Sequence, residues 1–231
     1  MMTRIAAVAL ALVVSAGAAW AECGDGVGDK PVYLTFDAGH MGIAPLVAEV
    51  LERQKVKATF FLADAKTTSG GSSLDDEWAP WWAARAAEGH AFGALDKGSS
   101  PAAVCAASQA TAARFHAMTG RVMPKVFRAS AGKASPQLVA AAAGCDWVNV
   151  AGSVSLGDDV ASRKLTNKQL LQRALRDVRP GDVLLVHLGT WPRRDAWAPV
   201  NLEPLIEGLK ARGMCFATLR EHPSYRSQFS W

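Results

Sequence analysis

The sequence predicts an α/β fold in which helices cover a parallel sheet. Short apolar runs recur along the chain with helical patterns between them, seven strands alternating with six helices, and this alternation is typical of parallel sheets. Most of the runs are apolar on both faces, as expected for strands buried beneath helices. The patterns alone leave two architectures open, a closed barrel and an open doubly wound sheet.

The elements follow one another at regular intervals. The predicted strands cover residues 32–37, 57–62, 90–94, 125–128, 146–150, 182–187 and 214–218. The predicted helices cover about 43–54, 76–88, 101–118, 135–143, 167–178 and 202–212. Ser135 precedes a proline and Asn167 precedes an amphipathic run, so we expect both to cap helices. The segments 67–73 and 152–165 lack regular signals, and we expect them to be loops.

The first 21 residues have the layout of a secretory signal peptide. Arg4 supplies the positive start, residues 5–14 are apolar, and Ala19-Trp20-Ala21 offers a cleavage site of small residues. We expect a signal peptide over 1–21 and a single domain over 22–231, without a stable membrane span after cleavage. An uncleaved N-terminal anchor is the alternative, although the apolar stretch is short for a span.

Composition and cysteine usage narrow the class of protein. The 25 basic and 21 acidic residues give a formal net charge of +4, and no arginine-rich run is present, so a nucleic-acid partner is not expected. Export would place the cysteines in an oxidising compartment, where we expect structural disulfides, but three pairings remain open. The four cysteines are Cys23, Cys105, Cys145 and Cys215.

Three side chains with useful chemistry end predicted strands. Asp37 ends the first strand, Arg128 the fourth and His187 the sixth. Because parallel strands end on one rim, the three side chains should converge and could provide a base, charge tuning and an acid for hydrolysis. Each also has a structural interpretation: Asp37 as a helix cap, His187 as a buried structural residue, and Arg128 as half of a surface ion pair.

Five segments, in this order, resemble the motifs of the polysaccharide deacetylase superfamily, the carbohydrate esterase family 4. The segments are Thr35-Phe36-Asp37 with Gly39, residues 57–62, Glu88-Gly89-His90, residues 128–132 and residues 184–187, with residues 213–221 resembling the closing strand. The resemblance covers about residues 30–221. It implies a distorted seven-stranded (β/α) barrel that removes N- or O-acetyl groups from glycans or peptidoglycan-like polysaccharides. It also implies a periplasmic or secreted location.

The resemblance also implies roles for particular residues. Family members use a divalent metal, usually zinc, whose bound water attacks the acetyl group. Matched position by position, the family's base falls on Asp37, its acid on His187, and the arginine that tunes the base on Arg128. Leu185 corresponds to the residue that lines the acetyl pocket.

The metal ligands of the family do not carry over. Their positions fall on Ala38, Leu95 and Ser99, and none of these side chains binds zinc there, whereas a catalytic zinc site needs three protein ligands. The sequence therefore predicts no metal ligand and no cofactor. The alternative is a rebuilt site, for which His40, His90 and Asp96 are the nearest candidates, although for His90 packing inside the barrel is the favoured interpretation.

Two groups of tryptophans have different expected roles. Trp191 and Trp197 lie in a loop just past His187, and we expect them to contact sugar rings, with arginines of the same loop meeting anionic groups. Trp78, Trp81 and Trp82 share one face of a predicted helix, and for them packing on the barrel is the favoured interpretation.

Two functions remain open from the sequence. The first is a glycan deacetylase that works with unusual ligands or at a low rate. The second is a non-catalytic pseudoenzyme that binds a glycan or a partner protein through the same cleft. A metal-free hydrolase is a weaker third, because an acid and a base alone provide roughly 10²–10⁴-fold acceleration.

Overall fold

A computed structural model of the chain describes residues 23, 30–39, 41–67, 70–129, 134–156, 165–188 and 200–229. In this part of the chain, eight parallel strands form one sheet that is flanked by six α-helices. The strands are β1 (Lys30–Ala38), β2 (Thr59–Leu62), β3 (Ala91–Asp96), β4 (Val126–Ala129), β5 (Val148–Asn149), β6 (Val154–Ser155), β7 (Val183–Leu188) and β8 (Met214–Ala217). The helices are α1 (Ala44–Arg53), α2 (Ala79–Ala87), α3 (Val104–Thr119), α4 (Pro136–Ala143), α5 (Asn167–Asp177) and α6 (Leu202–Ala211).

The sheet curls into an incomplete barrel whose two edge strands are connected directly by the chain. The strand order is β5-β4-β3-β2-β1-β7-β6, and β8 pairs with the first half of β1. The two ends of this order, β5 and β6, are joined by only the residues 150–153. The N–H of Val150 donates to the Phe127 carbonyl, and the N–H of Ser153 donates to the Val183 carbonyl, so each end of this connection stays attached to the strand beside it. The distorted (β/α) barrel predicted from the resemblance is confirmed.

The predicted elements are found within a few residues of their expected bounds, with two local differences. Strand β6 lies in the segment predicted as a loop. It was not predicted because a strand of two residues, paired with β7, is too short to show an alternating sequence pattern. Ser135 caps α4 as predicted and accepts the Leu138 N–H at 3.1 Å. The cap of α5 is Thr166 rather than Asn167, and Thr166 forms a reciprocal capping box with Gln169.

Alternation along the strands separates two apolar regions. Side chains such as Phe36 and Phe60 face the helices, where fully buried Trp82 donates its indole N–H to the Ser73 carbonyl at 2.6 Å. The tryptophans of α2 therefore pack on the barrel, which is the interpretation that the sequence favoured for them. The second region, here called the inner cluster, fills the barrel and consists of Tyr33, Phe61, Ala63, Leu95, Val126, Val150, Val183, Ala217 and Leu219.

Two disulfides tie the structure together. Cys23 pairs with Cys215 on β8, and Cys105 on α3 pairs with Cys145 just after α4. Sequence alone left this pairing open. Among the described residues, no helix combines the length and the apolar composition that crossing a membrane requires. The predicted signal peptide, 1–21, lies outside the described residues.

Candidate functional site at the C-terminal rim of the barrel

A buried ion pair joins Asp37 to Arg128 inside the barrel. Arg128 is 0% exposed and Asp37 is 3% exposed. The Arg128 Nη1 donates to Asp37 Oδ1 at 2.9 Å and to Thr35 Oγ1 at 2.7 Å. The two strands that carry these residues, β1 and β4, are separated by β2 and β3, so the pair spans the barrel interior. The guanidinium therefore fixes the direction of the Asp37 carboxylate.

Two further contacts hold the guanidinium of Arg128. Its Nε donates to the Val150 carbonyl at 3.2 Å, and its central carbon lies 4.1 Å from the centre of the Phe61 ring. Gly93 makes room for that ring, since a Cβ at this position would lie 2.8 Å from it. The Nη2 has no hydrogen-bond partner within the described residues.

Thr35 is a site residue that sequence reasoning missed. Its hydroxyl donates to the Leu184 carbonyl at 2.6 Å while accepting from Arg128, so it links β1, β4 and β7. The sequence did contain a signal for this role. Thr35 lies two residues before Asp37, and side chains two residues apart on a strand share a face.

His187 and Leu185 lie on the neighbouring strand β7. In the register of β1 and β7, Asp37 is paired with His187 and Thr35 with Leu185. The structure thus brings Asp37, Arg128 and His187 to one side of the barrel, at strand ends. Leu185 is 3% exposed and packs closely against Gly152.

The residues at the family's metal positions do not fit zinc. Ala38 is buried in the apolar region beneath the helices, and Leu95 belongs to the inner cluster. The carboxylate of Asp96 accepts the backbone N–H groups of Gly98 and Ser99, so it closes a turn at the end of β3. Within the described residues, no group of three or more His, Cys, Asp or Glu side chains is placed to hold a metal ion.

His90 is not available for a rebuilt metal site: it is buried by packing, although on the helix-facing side of the sheet rather than inside the barrel. It precedes β3, at the end of the barrel opposite to Asp37, and its Nδ1 accepts the Ala58 N–H at 3.0 Å. Its ring packs 5.4 Å from that of Phe60, on the helix-facing side. Burial lowers the pKa of His90 to about 4, and the nearby Lys57 adds to the effect. His40, the other histidine candidate, lies outside the described residues.

The predicted sugar-contacting loop also lies outside the described residues, together with its Trp191 and Trp197. The described part of the rim offers a carboxylate oriented by a buried guanidinium and a histidine on the next strand. These groups can exchange hydrogen bonds with a hydroxyl, an amide or a water. A metal would add stronger polarisation of an acetyl carbonyl and a lower pKa of a bound water, but it would need ligands other than Ala38, Leu95 and Ser99.

The fold agrees with one family of proteins. The family model described as polysaccharide deacetylase matches residues 24–149 of this chain. The chain therefore belongs to the polysaccharide deacetylase family.

Solved structures support this assignment. A family 4 acetyl xylan esterase from Clostridium thermocellum, in complex with a cobalt ion, is 26% identical, with a TM-score of 0.70 over 86% of this chain and 92% of the esterase. The CE4 domain of a xylanase from the hindgut metagenome of Trinervitermes trinervoides shares the fold, at 20% identity and a TM-score of 0.69 over 86% and 91% of the two chains. A CE4 family pseudoenzyme from Bacillus anthracis also shares the fold, at 22% identity and a TM-score of 0.65 over 84% and 65%.

Proposed function

We propose that this protein binds acetylated glycans at the rim formed by Asp37, Arg128 and His187, and that it does not hydrolyse them by a metal-dependent route. It is then a glycan-binding pseudoenzyme of the polysaccharide deacetylase family. One observation carries the proposal. Asp37 is held by Arg128 and is paired with His187 in the strand register, whereas the metal positions are occupied by Ala38, Leu95 and Ser99.

The energetics of the buried ion pair favour a binding role for this site over a purely structural role. A buried ion pair stabilises a fold weakly compared with apolar side chains of equal volume, so an interior that needs only stability has little use for one. Here the pair is buried almost completely and its carboxylate lies beside His187. A rim of this kind suits the amide and hydroxyl groups of an N-acetylated sugar, and the aromatic side chains of Trp191 and Trp197 would stack on its rings.

A second candidate function is slow, metal-free removal of acetyl groups. The pairing of Asp37 with His187 in the β1–β7 register favours it, because a base and an acid are then close together. General acid–base catalysis of this kind provides roughly 10²–10⁴-fold acceleration, far below that of typical enzymes.

Acetate release and glycan binding, measured on the same oxidised preparation, separate these functions. We expect N-acetylated chito-oligosaccharides or peptidoglycan fragments to bind in titration calorimetry, and zinc or chelator to change neither the affinity nor acetate release. His187→Ala should weaken binding, whereas His116→Ala, on the exposed side of α3, should not. Zinc-dependent acetate release that is lost in Asp37→Asn would overturn the proposal, as would a failure to bind any of these glycans. Zinc-independent release would support the second candidate.

We further propose a cleaved signal peptide over 1–21, a single domain over 22–231 and a periplasmic or secreted location. The two disulfides support an oxidising compartment. Mass spectrometry of the protein recovered from periplasm and medium tests this, and a mature chain that starts elsewhere than residue 22 would contradict it.

A further inference from the structure

The direction of the Thr35 hydroxyl is fixed by its two partners. Thr35 is 0% exposed, and its hydroxyl donates to the Leu184 carbonyl at 2.6 Å while it accepts from Arg128 Nη1 at 2.7 Å. A hydroxyl carries one proton, so donation to Leu184 leaves its lone pairs to face the guanidinium. Thr35 is therefore a fixed acceptor for Arg128 rather than a freely turning hydroxyl.

A single nitrogen of Arg128 contacts both Thr35 and Asp37. Nη1 carries two hydrogens in the plane of the guanidinium, and its two acceptors are Thr35 Oγ1 at 2.7 Å and Asp37 Oδ1 at 2.9 Å. Because the two N–H groups are held at a fixed angle in a planar group, a turn that breaks one bond also misaligns the other. The bond to Thr35 thus restrains the donor that orients the Asp37 carboxylate.

The other contacts of the guanidinium leave this turn open. The Val150 carbonyl holds Nε at 3.2 Å, and the Phe61 ring lies 4.1 Å beneath the central carbon. The ring fixes the plane of the group and the carbonyl fixes one point in that plane. Rotation within the plane about that point moves Nη1, and Thr35 opposes this rotation.

The bond to β7 connects the same hydroxyl to the strand of the rim histidine. Leu184 precedes His187 by three residues on β7, and the register of β1 and β7 pairs Asp37 with His187. The acceptor that orients Arg128 is therefore itself anchored on the strand that carries His187.

We propose that Thr35 is a positioning residue for the rim, whose hydroxyl holds Arg128 Nη1 in the direction that presents the Asp37 carboxylate beside His187. The inference rests on the proposed glycan binding for its functional consequence, whereas its hydrogen-bond part can be measured without a ligand. Valine has nearly the shape of threonine but no hydroxyl. In Thr35→Val one N–H of a buried guanidinium loses its acceptor, and rotation of the guanidinium relieves the cost of that loss.

The neighbouring strand offers a matched control. Thr59 is paired with Thr35 in the register of β1 and β2 and is also 0% exposed. Its hydroxyl accepts the Leu219 N–H at 3.0 Å, a bond that does not involve the ion pair. Thr59→Val therefore removes a buried hydroxyl and one hydrogen bond at the same level of the barrel, without removing an acceptor of Arg128.

The first test is the pair of Nη signals of Arg128 in ¹⁵N-labelled protein, assigned through the carbons of the side chain. Bonds from Nη1 to two fixed acceptors slow rotation about the Cζ–Nη bond, so we expect two separate signals in the unaltered protein. In Thr35→Val this rotation should accelerate about tenfold, matching the loss of roughly one net hydrogen bond, and the signals should broaden or merge. Thr35→Ser restores the hydroxyl and should restore slow rotation, and Thr59→Val should leave the rotation slow.

Three results of this test overturn the inference. They are unchanged rotation in Thr35→Val, equal acceleration in Thr59→Val, and a failure of Thr35→Ser to restore slow rotation, since the last would mean that Thr35 acts by packing alone. If Thr35→Val does not fold, the unaltered protein decides. Merged Nη signals there overturn the inference, and separate signals that also persist in Thr35→Ser uphold it.

Glycan affinity tests the functional part. It should fall about tenfold in Thr35→Val, return in Thr35→Ser and remain in Thr59→Val. Undiminished affinity in a folded Thr35→Val overturns the role of Thr35 at the rim. Faster rotation in Thr35→Val of a protein that binds no glycan would uphold the positioning of Arg128 and refute the proposed function, so the two failures are distinguishable.

Discussion

Arg128→Met should destabilise the protein far more than the loss of one hydrogen bond would. The substitution leaves the Asp37 carboxylate, 3% exposed, without its cation, and it removes donors to Thr35 and Val150. Breaking one side of a buried ion pair costs about 3–5 kcal/mol, because the remaining charge stays out of water. We therefore expect the free energy of unfolding to fall by about that amount.

The double variant Arg128→Met, Asp37→Asn separates the charge effect from the packing effect. A neutral amide has a much smaller desolvation penalty than a carboxylate, so the double variant should recover a large part of the lost stability. If instead the losses of the two single variants add, the two residues are not coupled, and the buried pair is not what holds this region together.

Urea unfolding followed by tryptophan fluorescence, with the disulfides intact, measures both quantities. Arg53→Met is the matched control, because Arg53 also forms a paired contact with a carboxylate, Glu203, but on the surface between α1 and α6. Its unfolding midpoint should stay near that of the unaltered protein. A loss below about 1 kcal/mol in Arg128→Met would refute the reasoning, since that is the range of exposed pairs.

Three other perturbations have defined outcomes. Gly93→Ala should cost about 1–3 kcal/mol in urea unfolding, because the new methyl meets the Phe61 ring that supports the guanidinium. The pKa of His90, about 4, lies below the ordinary value of 6.5, so this side chain takes up a proton on unfolding between these pH values. The contribution of neutral His90 to the free energy of unfolding is therefore full above pH 6.5, and it falls by about 1.4 kcal/mol per pH unit as the pH drops towards 4. Replacing Cys105 and Cys145 by alanine should lower stability by about 2–4 kcal/mol, measured by thermal unfolding.

Each of these predictions has its own control. Gly98→Ala, at a position with open space but a positive φ of 106°, separates backbone strain from the clash at Gly93. His90→Gln should remove the pH-dependent part between about pH 7 and about pH 4, and an unchanged slope would mean that other groups cause it. For the disulfide, equal stability of the double alanine variant and the oxidised protein would contradict the expected loss.

The architecture was predictable from the sequence because it depends on local patterns. Each buried strand gives an apolar run long enough to see, and Asp37, Arg128 and His187 each stand where such a run ends. Parallel strands bring their ends together whatever lies between them, so convergence of these side chains followed from chain order. The two residues of β6, Val154 and Ser155, were missed because their pairing with β7 is a tertiary property.

The details of the site depend on three-dimensional proximity and were not predictable. For His90 the sequence favoured packing inside the barrel, but the face of the sheet that it occupies is known only from its partners, the Ala58 N–H and the Phe60 ring. The role of Asp96 as the acceptor in a tight turn appears only once the backbone N–H groups of Gly98 and Ser99 are located. The bond from the Arg128 Nε to the Val150 carbonyl likewise joins parts of the chain that no local pattern relates.

The disulfide arrangement has a consequence for biosynthesis. The bond between Cys23 and Cys215 encloses the one between Cys105 and Cys145, so the two are nested. Synthesis delivers Cys23 first and its true partner last, after both other thiols have already appeared. A chain oxidised in order of appearance would therefore cross-link the wrong residues, and correct maturation requires either late oxidation or an enzyme that reshuffles the early bonds.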